Sequence, residues 1–178
     1  MGKLEMTPIS VNTLVNAIAE LLTEAYAGPP DPSRTWFIDN EPNSGILGLL
    51  ENVSAAEASQ PVDKLGNPGT TIAAHAEHLR WSLAQSNAAM RGEPFQGKWK
   101  ESWRLLNANP PEWDRLRANL RTEFETLRKA IQSQSDLPGE YLPGVIALLP
   151  HAAYHLGTIR QMIERVSESR KSSPGRAK

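Results

Sequence analysis

All four histidines of the sequence lie in two short segments, His75 and His78 in TTIAAHAEHLRW and His151 and His155 in LLPHAAYHLGTIR. His151 and His155 are four residues apart, so on a helix both imidazoles lie on one face and can reach the same ion. The chain contains no cysteine, so a metal ion would have to be held by imidazole and carboxylate groups. A three-imidazole site leaves coordination positions open for water or substrate, as catalytic zinc sites do.

The helical wheel separates the two histidines of the earlier segment. At about 100° per residue, His75 lies about 60° and His78 about 120° from the buried direction of that helix. This direction is defined by the apolar residues Ile72, Ala76, Leu79, Leu83 and Met90. His75 is therefore at the edge of the buried arc and His78 is further round, and either can supply the third imidazole.

The burial of several imidazoles together raises the question of what their ring nitrogens bind. A buried neutral histidine needs a partner for each ring nitrogen, and converging imidazoles cannot easily satisfy one another. A divalent ion takes one nitrogen from each ring, while the other nitrogen donates to a neighbouring acceptor. The competing interpretation is a set of surface or hydrogen-bonded core histidines with no metal.

Pro150, immediately before His151, allows two interpretations. Inside a helix it would free the carbonyl of Ile146 and bend the axis, which could open room at the metal. In the first turn of a helix that begins later, it would only mark the start of that helix.

Four long segments with helical periodicity position these histidines. The first runs from Ile9 to Tyr26, and the second runs from a cap at Thr70 or Thr71 to about Met90. The fourth runs from Tyr141 to about Val166.

The third long helix has the strongest start signal. Asn109 caps it, prolines suit its first turn, and Glu112 completes a capping box. Residues 95–106, just before it, are interpreted as a connection whose Trp99 and Trp103 plug an end of the bundle or a dimer interface. A short helix capped by Ser44 lies in the connection of about 40 residues between the first two long helices.

No segment alternates with period two, so the sequence predicts an all-α fold, a four-helix bundle with an extra short helix. The length of the first connection permits a crossover. We expect a single domain over residues 1–166. Residues 167–178, rich in Ser, Lys and Arg, are expected to form a disordered tail.

Composition excludes several partners. The 19 Lys and Arg residues balance the 20 Asp and Glu residues, for a net charge of -1, whereas nucleic acids and anionic membranes require a clustered positive field. No apolar run approaches the roughly 20 residues that span a bilayer. The first ten residues have no signal-peptide character, which predicts a cytoplasmic protein.

The segments HAAYHLGTIRQ, TTIAAHAEHLRWSL and KWKESWRLLNANPPEWDRLRANL together resemble the DinB-like (DinB/YfiT) superfamily. The resemblance covers the chain from the loop around Trp36 to about Val166. It implies a four-helix bundle with up-down-down-up topology, often a homodimer. It also implies a metal ion held by one histidine of the second long helix and two of the last.

Carried over to this sequence, the implied ligands are His75, His151 and His155, with His78 as the alternative to His75. Members of this superfamily bind nickel, zinc or similar ions, and some use low-molecular-weight thiols as transferases or isomerases. The resemblance therefore implies a divalent-metal-dependent enzyme acting on a small molecule, and among its reactions a thiol-dependent transfer is slightly favoured. Metal-dependent hydrolysis and a non-enzymatic metal- or ligand-binding helical bundle are the alternatives. No catalytic or substrate-binding residue is assigned beyond the ligands.

Overall fold

The structure is a computed structural model that describes residues 9–36, 39–63, 69–136 and 138–172. Within these ranges it contains six α-helices, a short 3₁₀ helix and no β-strand, which confirms the all-α prediction. The helices are α1 Val11–Ala27, α2 Ile46–Glu51, α3 Ala55–Ala58, α4 Ile72–Met90, α5 Pro110–Gln132 and α6 Leu142–Ser172, and the 3₁₀ helix is Trp99–Trp103.

The predicted caps of the two central helices are present. The side chain of Thr71 accepts a hydrogen bond from the Ala74 amide at 3.1 Å at the start of α4. At the start of α5, Asn109 and Glu112 form the reciprocal capping box, with distances of 3.0 and 2.9 Å. Both helices therefore begin at residues whose side chains satisfy otherwise unpaired amides.

The predicted Ser44 cap is wrong. Gly45 is the N-cap residue of α2 and makes no side-chain cap, while the Ser44 hydroxyl donates to the Asp39 carbonyl at 3.3 Å. The short helix exists, and in its first turn the Leu49 amide donates to the Gly45 carbonyl at 3.0 Å. A Cβ on Gly48 would lie only 2.1 Å from the Asn43 carbonyl oxygen, so only glycine allows this close approach.

The four long helices enclose a common apolar core. α4 packs along α5 and also contacts α6, while α1 contacts α5 and α6. In the part of the chain that the structure describes, α1 with α4 and α5 with α6 share at most slight contact. The fully buried core side chains include Leu22, Leu79, Leu83, Leu120, Leu127 and Ile159.

Helix α6 corrects one prediction and decides between two interpretations of Pro150. It continues to Ser172, so residues 167–172 are helical and the expected disordered tail begins too early; residues 173–178 lie outside the described residues. Arg170 forms a surface ion pair with Glu57 at 3.2 Å. Pro150 lies well inside α6, which favours the first of its two interpretations and excludes a position in the first turn of a later helix.

Among the helices described, none has the combination of length and apolar character needed to cross a bilayer.

Candidate metal centre

Two neighbouring helices bring the histidines together. Near its N-terminus α4 carries His75 and His78, and the middle of α6 carries His151 and His155. His78 is completely buried, His75 and His155 are almost so, and His151 is partly exposed. The caps at Thr71 and the packing of α4 against α6 thus place all four imidazoles in one region of the core.

Three of the four imidazoles converge through the same ring atom. The Nε2 atom of His151 is 3.0 Å from Nε2 of His78 and 3.1 Å from Nε2 of His155. In a tetrahedral zinc site with Zn–N bonds of about 2.0–2.1 Å, ligand nitrogens lie about 3.3–3.4 Å apart. These three histidines offer ligand atoms within 4.8 Å of one another and are therefore close enough to hold a metal ion.

His75 makes different contacts. Its Nδ1 atom lies 2.8 Å from Nδ1 of His155, on the side of that ring away from the converging atoms. Its Nε2 atom lies 2.9 Å from the Gly69 carbonyl oxygen. His75, the ligand implied by the resemblance, thus contacts one member of the converging group, and His78, the alternative, belongs to that group.

The hydrogens of the His75 and His155 rings can be assigned from their partners. The Gly69 carbonyl can only accept, so Nε2 of His75 must carry a hydrogen. A neutral imidazole has a single N–H, so Nδ1 of His75 accepts and Nδ1 of His155 donates. The remaining nitrogen of His155, Nε2, therefore presents a lone pair to the converging group.

The same reasoning applies to His78. The Ser102 hydroxyl donates its only hydrogen to the Trp99 carbonyl at 2.7 Å. It must therefore accept from Nδ1 of His78, which lies 2.7 Å away. Nε2 of His78 is consequently also without a hydrogen and presents a second lone pair.

This donor set fits a divalent cation. Only Nε2 of His151 can carry a hydrogen among the three converging atoms, and one hydrogen cannot satisfy both neighbours at 3.0 and 3.1 Å. The lone pairs of at least two of these nitrogens therefore face each other with no hydrogen between them, which is unfavourable in a buried site. A cation removes this conflict, and imidazole ligands suit zinc, nickel and copper.

The histidines are in the protonation state that binds metals. Burial, together with the charge of His151 and then of His75, lowers the pKa of His78 to about 3. Burial and the three neighbouring histidines lower the pKa of His155 to about 2. Burial also lowers the pKa values of His75 and His151. Near neutral pH the group is uncharged, and neutral imidazole is the metal-binding form.

Aromatic side chains of the 3₁₀ helix form one wall of the site. Trp103 stacks on His78, with ring centroids 4.0 Å apart and an interplanar angle of 14°. Trp99 presents its edge to the same imidazole at 4.5 Å. On the α6 side, the exposed Tyr154 ring lies 5.0 Å from that of His155.

The sequence predicts that Trp99 and Trp103 plug an end of the bundle or a dimer interface, and it does not place them against His78, where the structure has them. The local signal is the i, i+3 spacing of Trp99 and Ser102, which places both on one side of a 3₁₀ turn, with Trp103 next to Ser102. Nothing local indicates that this turn lies over the histidines, because the contact joins residues distant in sequence.

In comparisons with known proteins, no family model, no curated protein and no solved structure matches this chain. The resemblance to the DinB-like superfamily stays a prediction, and the functional argument rests on the geometry of the histidines.

Proposed function

We propose that this chain is a divalent-metal-dependent enzyme whose ion is held by His78, His151 and His155. The observation that carries the proposal is the convergence of three Nε2 atoms, two of which present lone pairs. His78 replaces His75 in the proposed ligand set because both ring nitrogens of His75 are engaged elsewhere. Zinc and nickel are the proposed ions, since both accept imidazole ligands.

The residues around the proposed ion have separable tasks. When bound, a divalent ion supplies a Lewis acid and lowers the pKa of a water or thiol at an open coordination position. Trp103 covers one face of His78 and excludes water from that side. Trp99 and Tyr154 are 53% and 67% exposed and offer apolar surface for a small-molecule substrate next to the imidazoles.

Within this class we favour a transferase that uses a low-molecular-weight thiol. The support for this choice is the resemblance to the DinB-like superfamily, and the cysteine-free chain requires any thiol to come from a small molecule. Metal-dependent hydrolysis is the alternative reaction. A non-enzymatic, metal-binding helical protein is the competing class.

Metal analysis tests the site directly. Purified protein dialysed against zinc or nickel should retain one ion per chain, and the double variant His151→Ala/His155→Ala should retain none. Equal metal content in the two proteins would refute the site. Turnover is then tested with small electrophiles, with and without low-molecular-weight thiols. Thiol-dependent turnover supports the transferase, thiol-independent cleavage supports the hydrolase, and no turnover with any metal supports the binding protein.

We also propose that the fold is a four-helix bundle with up-down-down-up topology. The C-terminal ends of α4 and α5 line one cavity together with the N-terminal end of α6, through Met90, Ile131 and Val145. This supports α4 and α5 running in one direction and α6 in the other.

A homodimer is a further proposal. Residues 142–159 of α6 contain no charged side chain, and Ile146 on this helix is exposed. Such an uncharged surface suits a second copy of the chain. Light scattering coupled to gel filtration should give the dimer mass for the wild type and a lower mass for Ile146→Glu. A wild-type monomer would refute it.

A further inference from the structure

Two hydrogen-bonded chains lead from the converging imidazoles to backbone carbonyls. One runs from His155 through His75 to the carbonyl of Gly69, over distances of 2.8 and 2.9 Å. The other runs from His78 through Ser102 to the carbonyl of Trp99, with both distances 2.7 Å. The intermediate side chains, His75 and Ser102, are 4% and 1% exposed, so water does not compete for these bonds.

We propose that His75 and Ser102 are positioning residues that set the tautomers of His155 and His78, so that both Nε2 lone pairs point at the ion. The inference rests on the proposed metal site and adds the groups that prepare its ligands. Its physical basis is the polarity of the chain ends: a backbone carbonyl accepts and never donates. Each chain is therefore polarised in one direction, and each ligand is left with its hydrogen on Nδ1.

This arrangement distinguishes a positioning histidine from a ligand. If His75 bound the ion through Nδ1, Nδ1 of His155 would lose its acceptor and that buried N–H would be unpaired. If His75 bound through Nε2, the Gly69 carbonyl would lose its donor. Both costs are avoided when His75 stays between His155 and Gly69. The hydrogen bonds that orient a ligating histidine typically affect metal affinity by about 10- to 100-fold.

A matched pair of variants separates the two halves of the His75 link. The amide of an asparagine side chain reaches the position of Nδ1, so His75→Asn can still accept from His155. The longer glutamine reaches the position of Nε2, so His75→Gln can donate to the Gly69 carbonyl but has a methylene group opposite His155. The two variants are similar in polarity and differ in which hydrogen bond they keep.

The first measurement is zinc affinity, by competition with a chromophoric chelator. We expect His75→Gln and Ser102→Ala each to weaken zinc binding by about 10- to 100-fold, with His75→Asn close to wild type. Thermal unfolding of the metal-free variants tests for a purely structural role. If His75 and Ser102 only stabilise the fold, the variants with the lowest Tm should also bind zinc most weakly. Equal affinities for His75→Asn and His75→Gln would overturn the inference and leave the metal site standing.

The second measurement needs no metal. Long-range ¹H–¹⁵N NMR spectra of the metal-free protein report which ring nitrogen carries the hydrogen. We expect His155 and His78 to be protonated on Nδ1 in the wild type, and His155 to lose this preference in His75→Gln. His155 protonated on Nε2 in the wild type would overturn the inference whether or not the protein binds zinc.

X-ray absorption at the zinc edge tests whether His75 is itself a zinc ligand. A wild-type site with three imidazoles that keeps three in His75→Gln supports the positioning role. Loss of one imidazole in that variant would make His75 a ligand and overturn the inference.

Discussion

Replacing His78 by alanine should remove most of the zinc-dependent stability of this protein. The side chain has two roles that must be separated, because it is both a proposed ligand and a fully buried ring stacked on Trp103. The packing loss affects the metal-free and metal-loaded proteins alike. The relevant quantity is therefore the rise in Tm that zinc causes within each variant, and the packing contribution cancels from it.

The size of the effect follows from linkage. Structural zinc sites contribute about 10–16 kcal/mol through four ligands, or about 3–4 kcal/mol per ligand, which corresponds to about a 100- to 1,000-fold change in affinity. At a free zinc concentration 1,000 times the wild-type Kd, binding stabilises the native state by about 4 kcal/mol. For a chain of 178 residues this raises Tm by about 12 °C, since 1 kcal/mol corresponds to about 3 °C. In His78→Ala the remaining rise should be about 1–4 °C.

The assay is thermal unfolding followed by circular dichroism, with and without zinc at that fixed free concentration. Leu79→Ala is the matched control, because Leu79 is equally buried on the same helix and contributes no ligand atom. It should lower Tm in both states and leave the zinc-induced rise at its wild-type value. If zinc raises the Tm of His78→Ala as much as that of the wild type, His78 is not a ligand and the geometric reasoning fails.

Three further outcomes follow from the structure. With chelator present, the free energy of unfolding should fall as the pH drops below 6.5. Histidines of the unfolded chain bind protons there, whereas His78 and His155 in the folded protein bind them only near pH 3 and 2. Urea unfolding between pH 7.5 and 5 measures this dependence, and a free energy that does not change with pH would contradict the buried neutral state. Gly48→Ala should destabilise the protein by more than about 2 kcal/mol, because its Cβ would overlap the backbone of the preceding loop. Gly157→Ala, inside α6 with nothing within 4 Å of the new methyl group, should instead stabilise it by about 0.5–1 kcal/mol. Calorimetry of both glycine variants checks the two signs, and a shared sign would contradict the packing described here.

The sequence predicts a helix well where the helix depends on interactions between residues close together in the chain. The capping box at Asn109 needs only residues three apart, and apolar periodicity needs only one helical face. The same reasoning failed at Ser44, because the loop before α2 gives its hydroxyl a different partner, the Asp39 carbonyl. It also ended α6 too early, since residues 167–172 are polar and carry no apolar periodicity that would extend the prediction, although the helix continues to Ser172.

The histidine cluster was predictable as a group and not in its internal roles. Four histidines in two helical segments are visible in the sequence, and the i, i+4 spacing places His151 with His155. The wheel favoured His75 over His78 because it measures distance from the apolar stripe of a single helix. It takes no account of Trp103 and Ser102, which bury His78 from the other side. Which of the two α4 histidines converges with His151 and His155 therefore depends on a contact with a segment 24 residues away.

The three converging histidines differ from the rest of the core in how their buried polar atoms are paired. Elsewhere the core consists of apolar side chains, and its buried polar groups largely have partners. At His78, His151 and His155 three ring nitrogens meet with too few hydrogens between them. A core that served stability alone would be better filled there by leucine, since buried lone pairs facing one another carry a cost that apolar side chains avoid. Departures of this kind concentrate where a protein binds something, and these three histidines are close enough to hold a metal ion.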